Sequence, residues 1–317
     1  MRSSILPACA LAVAACSSAN PSNEVDLPPI EGAPVRIVHA KTSESVAAGL
    51  GAAPVRMSST SAHNAISIDY EARVVGRVDD HGGVSTRLAC RVDDYTIVTG
   101  PTHDAMNRLA SIPSGQSLPK RDTFMPTAFS AGVPETCEFS FLYQVSPPLR
   151  DVPEIGSTAT PPQRRHTALG ELCFARGVLT EGACGDDVLP RRPADAPLVA
   201  SELVGRIAAE ADGTHRLGVS VLVTAGEGVP AQIHVTANAT CDLDGTPRDV
   251  RPWLHMFERD LRPGESAVGS GSTSPADPLP SAPTWCHVDV SMAEAGTVTS
   301  IGDFCVRGET TTRGACT

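Results

Sequence analysis

Lysine is almost missing from this chain: of 25 basic residues only Lys41 and Lys120 are lysine, the others arginine. Aromatic residues are also scarce, at 4% of 317 residues, so a core has to be assembled mainly from Val, Ala, Leu and Ile, which bury less area apiece than Phe or Trp. No CxxC pair occurs and no His lies three to five residues from another His, which removes the usual spacing of a structural zinc cluster. GxSxG, HExxH, Walker A and GxGxxG motifs are all missing, so no catalytic or phosphate-cradling loop announces itself. The longest apolar stretch, Ile5 to Ala15, is too short to cross a bilayer as a helix. A net charge of −11 argues against nucleic acid or a bare anionic lipid surface as partner.

What the chain has in excess is cysteine. Ten cysteines are more than a reducing cytosol tolerates unless they bind metal or do chemistry, so an oxidising compartment is expected. The N-terminus supplies a route there. "MRSSILPACALAVAAC" carries one Arg and then the short apolar run, the layout of a signal peptide over residues 1–15. Its end, Val13-Ala14-Ala15-Cys16, resembles the lipobox of bacterial lipoproteins. That resemblance implies that Cys16 is acylated and becomes the mature N-terminus, with the lipid bilayer as first partner. Ser17 in place of Asp after the cysteine resembles the pattern sent to the outer membrane of double-membrane bacteria; a single-membrane host would keep the protein on the outer face of its plasma membrane. The plain alternative is an ordinary secretory signal cleaved nearby, with Cys16 left as a thiol.

With Cys9 and Cys16 set aside, eight cysteines remain and divide into Cys90, Cys137, Cys173, Cys184 and Cys241, Cys286, Cys305, Cys316. Successive gaps are 47, 36 and 11 residues in the first set and 45, 19 and 11 in the second. "GELCFARGVLTEGAC" (170 to 184) and "GDFCVRGETTTRGAC" (302 to 316) share six identities in fifteen positions. Spacing and shared sequence together indicate an internal duplication.

Period-2 alternation shows what each repeat is made of. Ile233, Val235, Ala237, Ala239 and Cys241 form an inward set against His234, Thr236, Asn238 and Thr240. Cys286, Val288 and Val290 alternate with His287, Asp289 and Ser291, and Cys137, Phe139 and Phe141 with Glu138, Ser140 and Leu142. "SELVGRIAAEA" (201 to 211) reads equally as helix or strand. Turn signals such as "DDHGG" (79 to 83), "DLDG" (242 to 245) and "RPGES" (262 to 266) separate the strands.

The expected fold is therefore all-β, a tandem of two disulfide-bridged β-sandwiches of immunoglobulin-like outline after a flexible tether. The expected boundaries are a lipidated N-terminus and disordered tether over 16–64, a first sandwich over 65–190 with a Pro-rich insertion at 146–165, and a second over 196–317. Trp253, twelve residues after Cys241, is placed as a core Trp. The favoured bridges are Cys90–Cys137, Cys173–Cys184, Cys241–Cys286 and Cys305–Cys316, although three pairings stay open within each set of four.

No catalytic, cofactor or metal site is assigned. "SLPK" (117 to 120) has the SxxK spacing, but Pro119 opposes the helical turn it needs. "DLDG" with Asp249 could ligate Ca²⁺, against an Asx-type turn as the simpler reading. His234 and His287 could share a metal, against two solvated polar faces. The exposed segment Arg307, Glu309, Thr310, Thr311, Thr312 and Arg313, clamped by a bridge, is the candidate recognition loop. Function is read as a membrane-anchored, non-enzymatic envelope lipoprotein that binds an envelope or extracellular protein or glycan, or is structural. The alternatives are a protease-inhibitor or ligand-capture protein using its clamped loops, and an envelope hydrolase with a dispersed site.

Overall fold

The computed structural model describes residues 24–48, 62–100, 109–124, 134, 136–145, 165–259, 261–274, 278–294 and 297–316. All regular structure in them is strand. The first half carries β1 (Glu24–Val25), β2 (Val35–Ala48), β3 (Ala62–Val74), β4 (Gly82–Val92), β5 (Tyr95–Thr99), β6 (Ser117–Phe124), β7 (Thr136–Val145), β8 (Arg165–Ala175) and β9 (Val178–Glu181). The second carries β10 (Leu198–Ala209), β11 (His215–Ala225), β12 (Gln232–Leu243), β13 (Thr246–Val250), β14 (His255–Arg259), β15 (Glu265–Ser272), β16 (Cys286–Glu294), β17 (Thr297–Arg307) and β18 (Thr310–Arg313). The ambiguous 201–211 stretch is thus mostly strand β10.

The duplication is visible in the sheet order. One sheet runs β1-β2-β3-β6, a second β10-β11-β15-β5-β4-β7-β8-β9, and a third β13-β12-β16-β17-β18 with β14 also paired to β12. The triple β2-β3-β6 corresponds to β10-β11-β15, and β5-β4-β7-β8-β9 to β13-β12-β16-β17-β18. Equivalent cysteines occupy equivalent registers. Cys90 faces Cys137 and Cys241 faces Cys286, while Cys173 faces Thr180 and Cys305 faces Thr312 across their hairpins. The structure forms the bridges Cys90–Cys137, Cys173–Cys184, Cys241–Cys286 and Cys305–Cys316.

Each half is a sandwich with its own core. In the first, Ile37, Ile66 and Ile68 pack against Leu88, Phe139, Phe141 and Leu172. The few aromatics are concentrated there, with Tyr70 edge-on to Phe141 at 5.0 Å and Phe124 edge-on to Phe139 at 5.9 Å. In the second, Leu217, Val219, Val221 and Val223 of β11 face Val235, Ala237, Val288 and Val290. This core is largely aliphatic, and buried crosslinks offset its smaller side chains: on a loop-entropy estimate a bridge over about 45 residues contributes roughly 4 kcal/mol.

Two expectations need correction, and two further features depart from a simple tandem of immunoglobulin-like sandwiches. The tether does not extend over 16–64, because β1 and β2 lie within it and Leu27, Val35, Ile37, Val38 and Ala40 are buried; alternation in "VRIVHA" outweighs the Pro- and Gly-rich flanks. Residues 16–23 and 49–61 lie outside the described part, as does the Pro-rich stretch 146–164. Trp253 is 65% exposed and is not a core Trp. The Cys90–Cys137 and Cys241–Cys286 bridges join neighbouring strands of one sheet, whereas the immunoglobulin bridge joins two sheets. The outward face of β7 is not solvated either, since Glu138 is 0% and Ser140 5% exposed. That face is covered because the two sandwiches share a sheet.

The sharing occurs where β15 pairs with β5 in parallel, Glu265 beside Thr96 and Ser266 beside Ile97. Side chains alternate across a strand, so Leu88, Cys90 and Leu172 face the first core. Ala89, Val98 and Cys173, on the other face, join the second.

Candidate functional site

Two polar constellations stand out, one at the junction and one on the outer face of the four-stranded sheet. The junction begins with residues whose strand positions turn them toward the second sandwich: Arg87 on β4, Glu138 on β7 and Glu171 on β8. Arg191 from the connecting segment, Arg262 from the β14–β15 turn and Glu265 from β15 complete it. Arg191 Nη2 donates to Glu138 Oε1 at 2.8 Å, and Arg262 Nη1 to the same oxygen at 3.0 Å. Glu138 Oε2 accepts the Cys184 backbone N–H at 2.9 Å. Arg87 pairs with Glu265, Arg262 Nη2 pairs with Glu171, and Arg191 Nε donates to Glu265 Oε1 at 3.4 Å.

Three guanidinium groups therefore balance three carboxylates around two fully buried glutamates. Burial works against the Arg262 charge, but Glu171, Glu265 and Glu138 outweigh it and its pKa is raised. Gly264, with φ +83°, lets the turn close against the connecting segment; a Cβ there would sit 2.5 Å from backbone atoms of Arg191 and Arg192. A buried ion cluster need not add net stability, but removing one member leaves a charge unpaired in low dielectric. The cluster consequently fixes how the sandwiches meet.

The second constellation lies across β1, β2, β3 and β6. One rung reads Glu24, Lys41, Asp69, Arg121, with charges alternating in sign from strand to strand. Arg121 grips Asp69 with two bonds of 2.7 and 2.8 Å, which raises its pKa. His39 Nδ1 lies 2.7 Å from Glu24 Oε1, and its backbone N–H donates to Asp26 Oδ1 at 2.8 Å. Glu24, His39, Lys41, Asp69 and Arg121, with Glu71, Pro119, Tyr70 and Lys120, line a groove of about 590 Å³. Beneath it, inside the first core, Tyr70 Oη donates to Asp122 Oδ2 at 2.9 Å and Thr86 bonds the same oxygen. Lys120 Nζ donates to the Val84 carbonyl at 2.9 Å. Desolvation, then the Asp122 charge, push the Tyr70 pKa far upward.

The residues singled out from sequence do not assemble into one site. The Cys305–Cys316 segment is a β-hairpin, and Arg307, Glu309, Thr310, Thr312 and Arg313 are exposed. Thr311 is half-buried and its Oγ1 accepts the Gly205 N–H at 3.0 Å, while Glu309 lies 3.5 Å from Arg206. The hairpin is thus docked on β10. In the equivalent β8–β9 hairpin Leu179 turns inward and Val178 outward. His234 faces Ala293 and His287 faces Thr240, six residues or about 20 Å apart along the strand, so they cannot share a metal; His287 instead neighbours Asp303 at 3.5 Å. Asp244 and Gly245, with φ of 54° and 81°, form the two-residue β12–β13 turn, the Asp-Gly type I′ geometry, and Asp249 accepts the Thr240 hydroxyl at 2.8 Å. Among the described residues no group of three His, Cys, Asp or Glu side chains is placed to hold a metal. Ser117 and Lys120 lie three apart on a strand and so point to opposite faces, which dismantles the SxxK reading. Cys16 lies outside the described residues.

The junction went unnoticed in the sequence because its members are scattered from Arg87 to Glu265. One signal was present: Glu138 between Cys137 and Phe139 interrupts an otherwise apolar strand. No protein-family model matches the chain, and no curated protein is similar to it in sequence.

Proposed function

We propose that this protein is a lipid-anchored, non-enzymatic binding protein of the bacterial cell envelope, held by acylated Cys16 and displaying two rigidly joined β-sandwiches. In a double-membrane host its place is the outer membrane; otherwise it is the outer face of the plasma membrane. The junction carries the display part of this reading, because six charged side chains and a continuous sheet hold the two units at one angle. Preorganised surfaces bind at lower entropic cost. The address rests on the Val13–Cys16 sequence and agrees with four disulfides, which form and persist mainly in oxidising compartments.

The test of the address is metabolic labelling with an acyl analogue. Wild type should incorporate label and lose residues 1–15, and Cys16→Ser should do neither; label retained by the variant refutes the anchor. Proximity labelling on intact cells should then identify an envelope or extracellular protein or glycan as neighbour. A second reading, ligand capture by the clamped hairpins, is favoured by the exposure of Arg307, Glu309, Thr310, Thr312 and Arg313 at a disulfide-fixed edge. Replacing these residues should then abolish capture of the same neighbour.

A further inference from the structure

Strand β1 begins eight residues after Cys16, so a membrane that holds Cys16 lies close to the groove. Glu24 opens β1 and itself lines the groove, leaving only residues 17–23 between it and Cys16. Eight residue steps, fully extended, reach at most about 29 Å. Whatever Cys16 is attached to therefore lies within a few nanometres of the outer face of the four-stranded sheet.

The backbone spends a distortion to build that face. Val38 is opposite Glu71 but Lys41 is opposite Asp69, so β2 carries one extra residue in a bulge, and His39 within it has φ 53°. Without the extra residue Lys41 would face the core, opposite Ile68. Bulges commonly re-aim a side chain in this way, and a non-glycine residue at positive φ costs about 1 kcal/mol or more. The re-aimed Lys41 has no ion-pair or hydrogen-bond partner among the described residues, although it stands between two carboxylates. Glu71, diagonally across from it on β3, has none either. The remaining charges of the groove are mostly satisfied within the protein: Arg121 by Asp69, His39 by Glu24, Lys120 by the Val84 carbonyl. A free cation and a free anion about 7 Å apart suit a ligand carrying both signs.

We infer that this groove binds the zwitterionic headgroup of a membrane phospholipid, with Lys41 on the phosphate and Glu71 on the ammonium. The ligand chemistry rests on the groove; the choice of a lipid as its source rests on the Cys16 anchor proposed above. Net charge of −11 disfavours an anionic lipid surface but is indifferent to a neutral zwitterion.

The test uses full-length protein in non-ionic detergent, titrated calorimetrically with O-phosphoethanolamine, inorganic phosphate and ethanolamine. Saturable binding of O-phosphoethanolamine is expected, at least fivefold tighter than either fragment and weakened at least fivefold by Lys41→Met and by Glu71→Gln. No saturable binding, or binding matched by phosphate and unmoved by Glu71→Gln, overturns the groove. A second arm reads the source. Acetylation of Lys41, followed by peptide mass, should fall several-fold in phosphatidylcholine vesicles relative to detergent, while Lys120, whose side chain is 8% exposed, reacts slowly in both. An unprotected Lys41 in vesicles overturns the lipid source. Acyl labelling of the same preparation separates the two readings: acylated protein with no headgroup binding refutes the groove alone, and unacylated protein that binds refutes the anchor and with it the lipid source.

Discussion

Glu138→Gln is the sharpest perturbation of the junction, because it removes one charge and almost no volume. Glu138 is 0% exposed and receives two guanidinium groups and a backbone N–H. The variant leaves three arginines against two carboxylates around a side chain that water does not reach. Breaking a buried pair from one side costs about 3–5 kcal/mol; Arg262 is 41% exposed and can recover hydration, so the low end, about 3 kcal/mol, is expected. Urea unfolding should be followed by far-UV circular dichroism, which sees both sandwiches, and by tryptophan fluorescence, which sees only the second because both tryptophans, Trp253 and Trp285, lie there. Wild type should show one transition with coincident midpoints, the mark of a single cooperative unit. The variant should unfold at lower urea with the two probes separated. Adding Arg262→Leu should restore part of the loss, a coupling visible in a double-mutant cycle. A loss under about 1 kcal/mol in Glu138→Gln, or two transitions already present in wild type, would refute the view that these charges lock the sandwiches together.

Two further outcomes follow from the first core. A fragment starting at residue 65 loses Leu27, Val35, Ile37 and Val38. At about 1.5–3 kcal/mol each, their loss is comparable with the whole stability of a domain. Residues 65–190 should therefore remain unfolded by circular dichroism where 24–190 folds, and a folded shorter fragment would show that β2 is dispensable. The Tyr70 pKa is raised by burial and Asp122, so the neutral phenol is the form the native state favours. Its stabilisation is fully present below the unfolded pKa near 10 and is lost as pH rises above it, by up to about 1.4 kcal/mol per pH unit. Tyr70→Phe should flatten that alkaline slope in urea titrations; an unchanged slope would remove Tyr70 as its source.

Much of the architecture was legible because disulfides and period-2 alternation are local signals. Cys241 shares a face with Ile233 and Val235 on paper and in the core alike. Bridge partners were accessible for the same reason, since duplicated spacing constrains them. The join between the sandwiches was not, because β5–β15 pairing connects residues far apart in sequence and involves only two residue pairs. Nor was the bulge: nothing in "VRIVHAKT" marks His39 as the extra residue, and a register shift of one reverses which face Lys41 takes. The groove and the junction are both products of register between distant strands. Composition and spacing carry no information about that.

Among the described residues, the duplicated sheets also leave two edges equivalent to the strands that join the units. The contact is head-to-tail: β15 of the second unit pairs with β5 of the first. Such contacts continue indefinitely if both free ends remain competent. The equivalents without such a partner among the described residues are β6, counterpart of β15, and β13, counterpart of β5. Here the sequences diverge. The joined strands, Glu265–Ser272 (ESAVGSGS) and Tyr95–Thr99 (YTIVT), contain no proline, whereas Ser117–Phe124 (SLPKRDTF) has Pro119 and Lys120, and Thr246–Val250 (TPRDV) has Pro247. Proline and lysine on an edge strand block further pairing. Pro119→Thr combined with Pro247→Thr should therefore promote concentration-dependent self-association, measured by sedimentation velocity, while each single variant stays monomeric because a head-to-tail contact needs one open end of each kind. If the double variant remains monomeric at the same concentrations as wild type, the prolines are not what blocks these two edges, and the charges of Lys120, Arg121 and Arg248 would have to suffice.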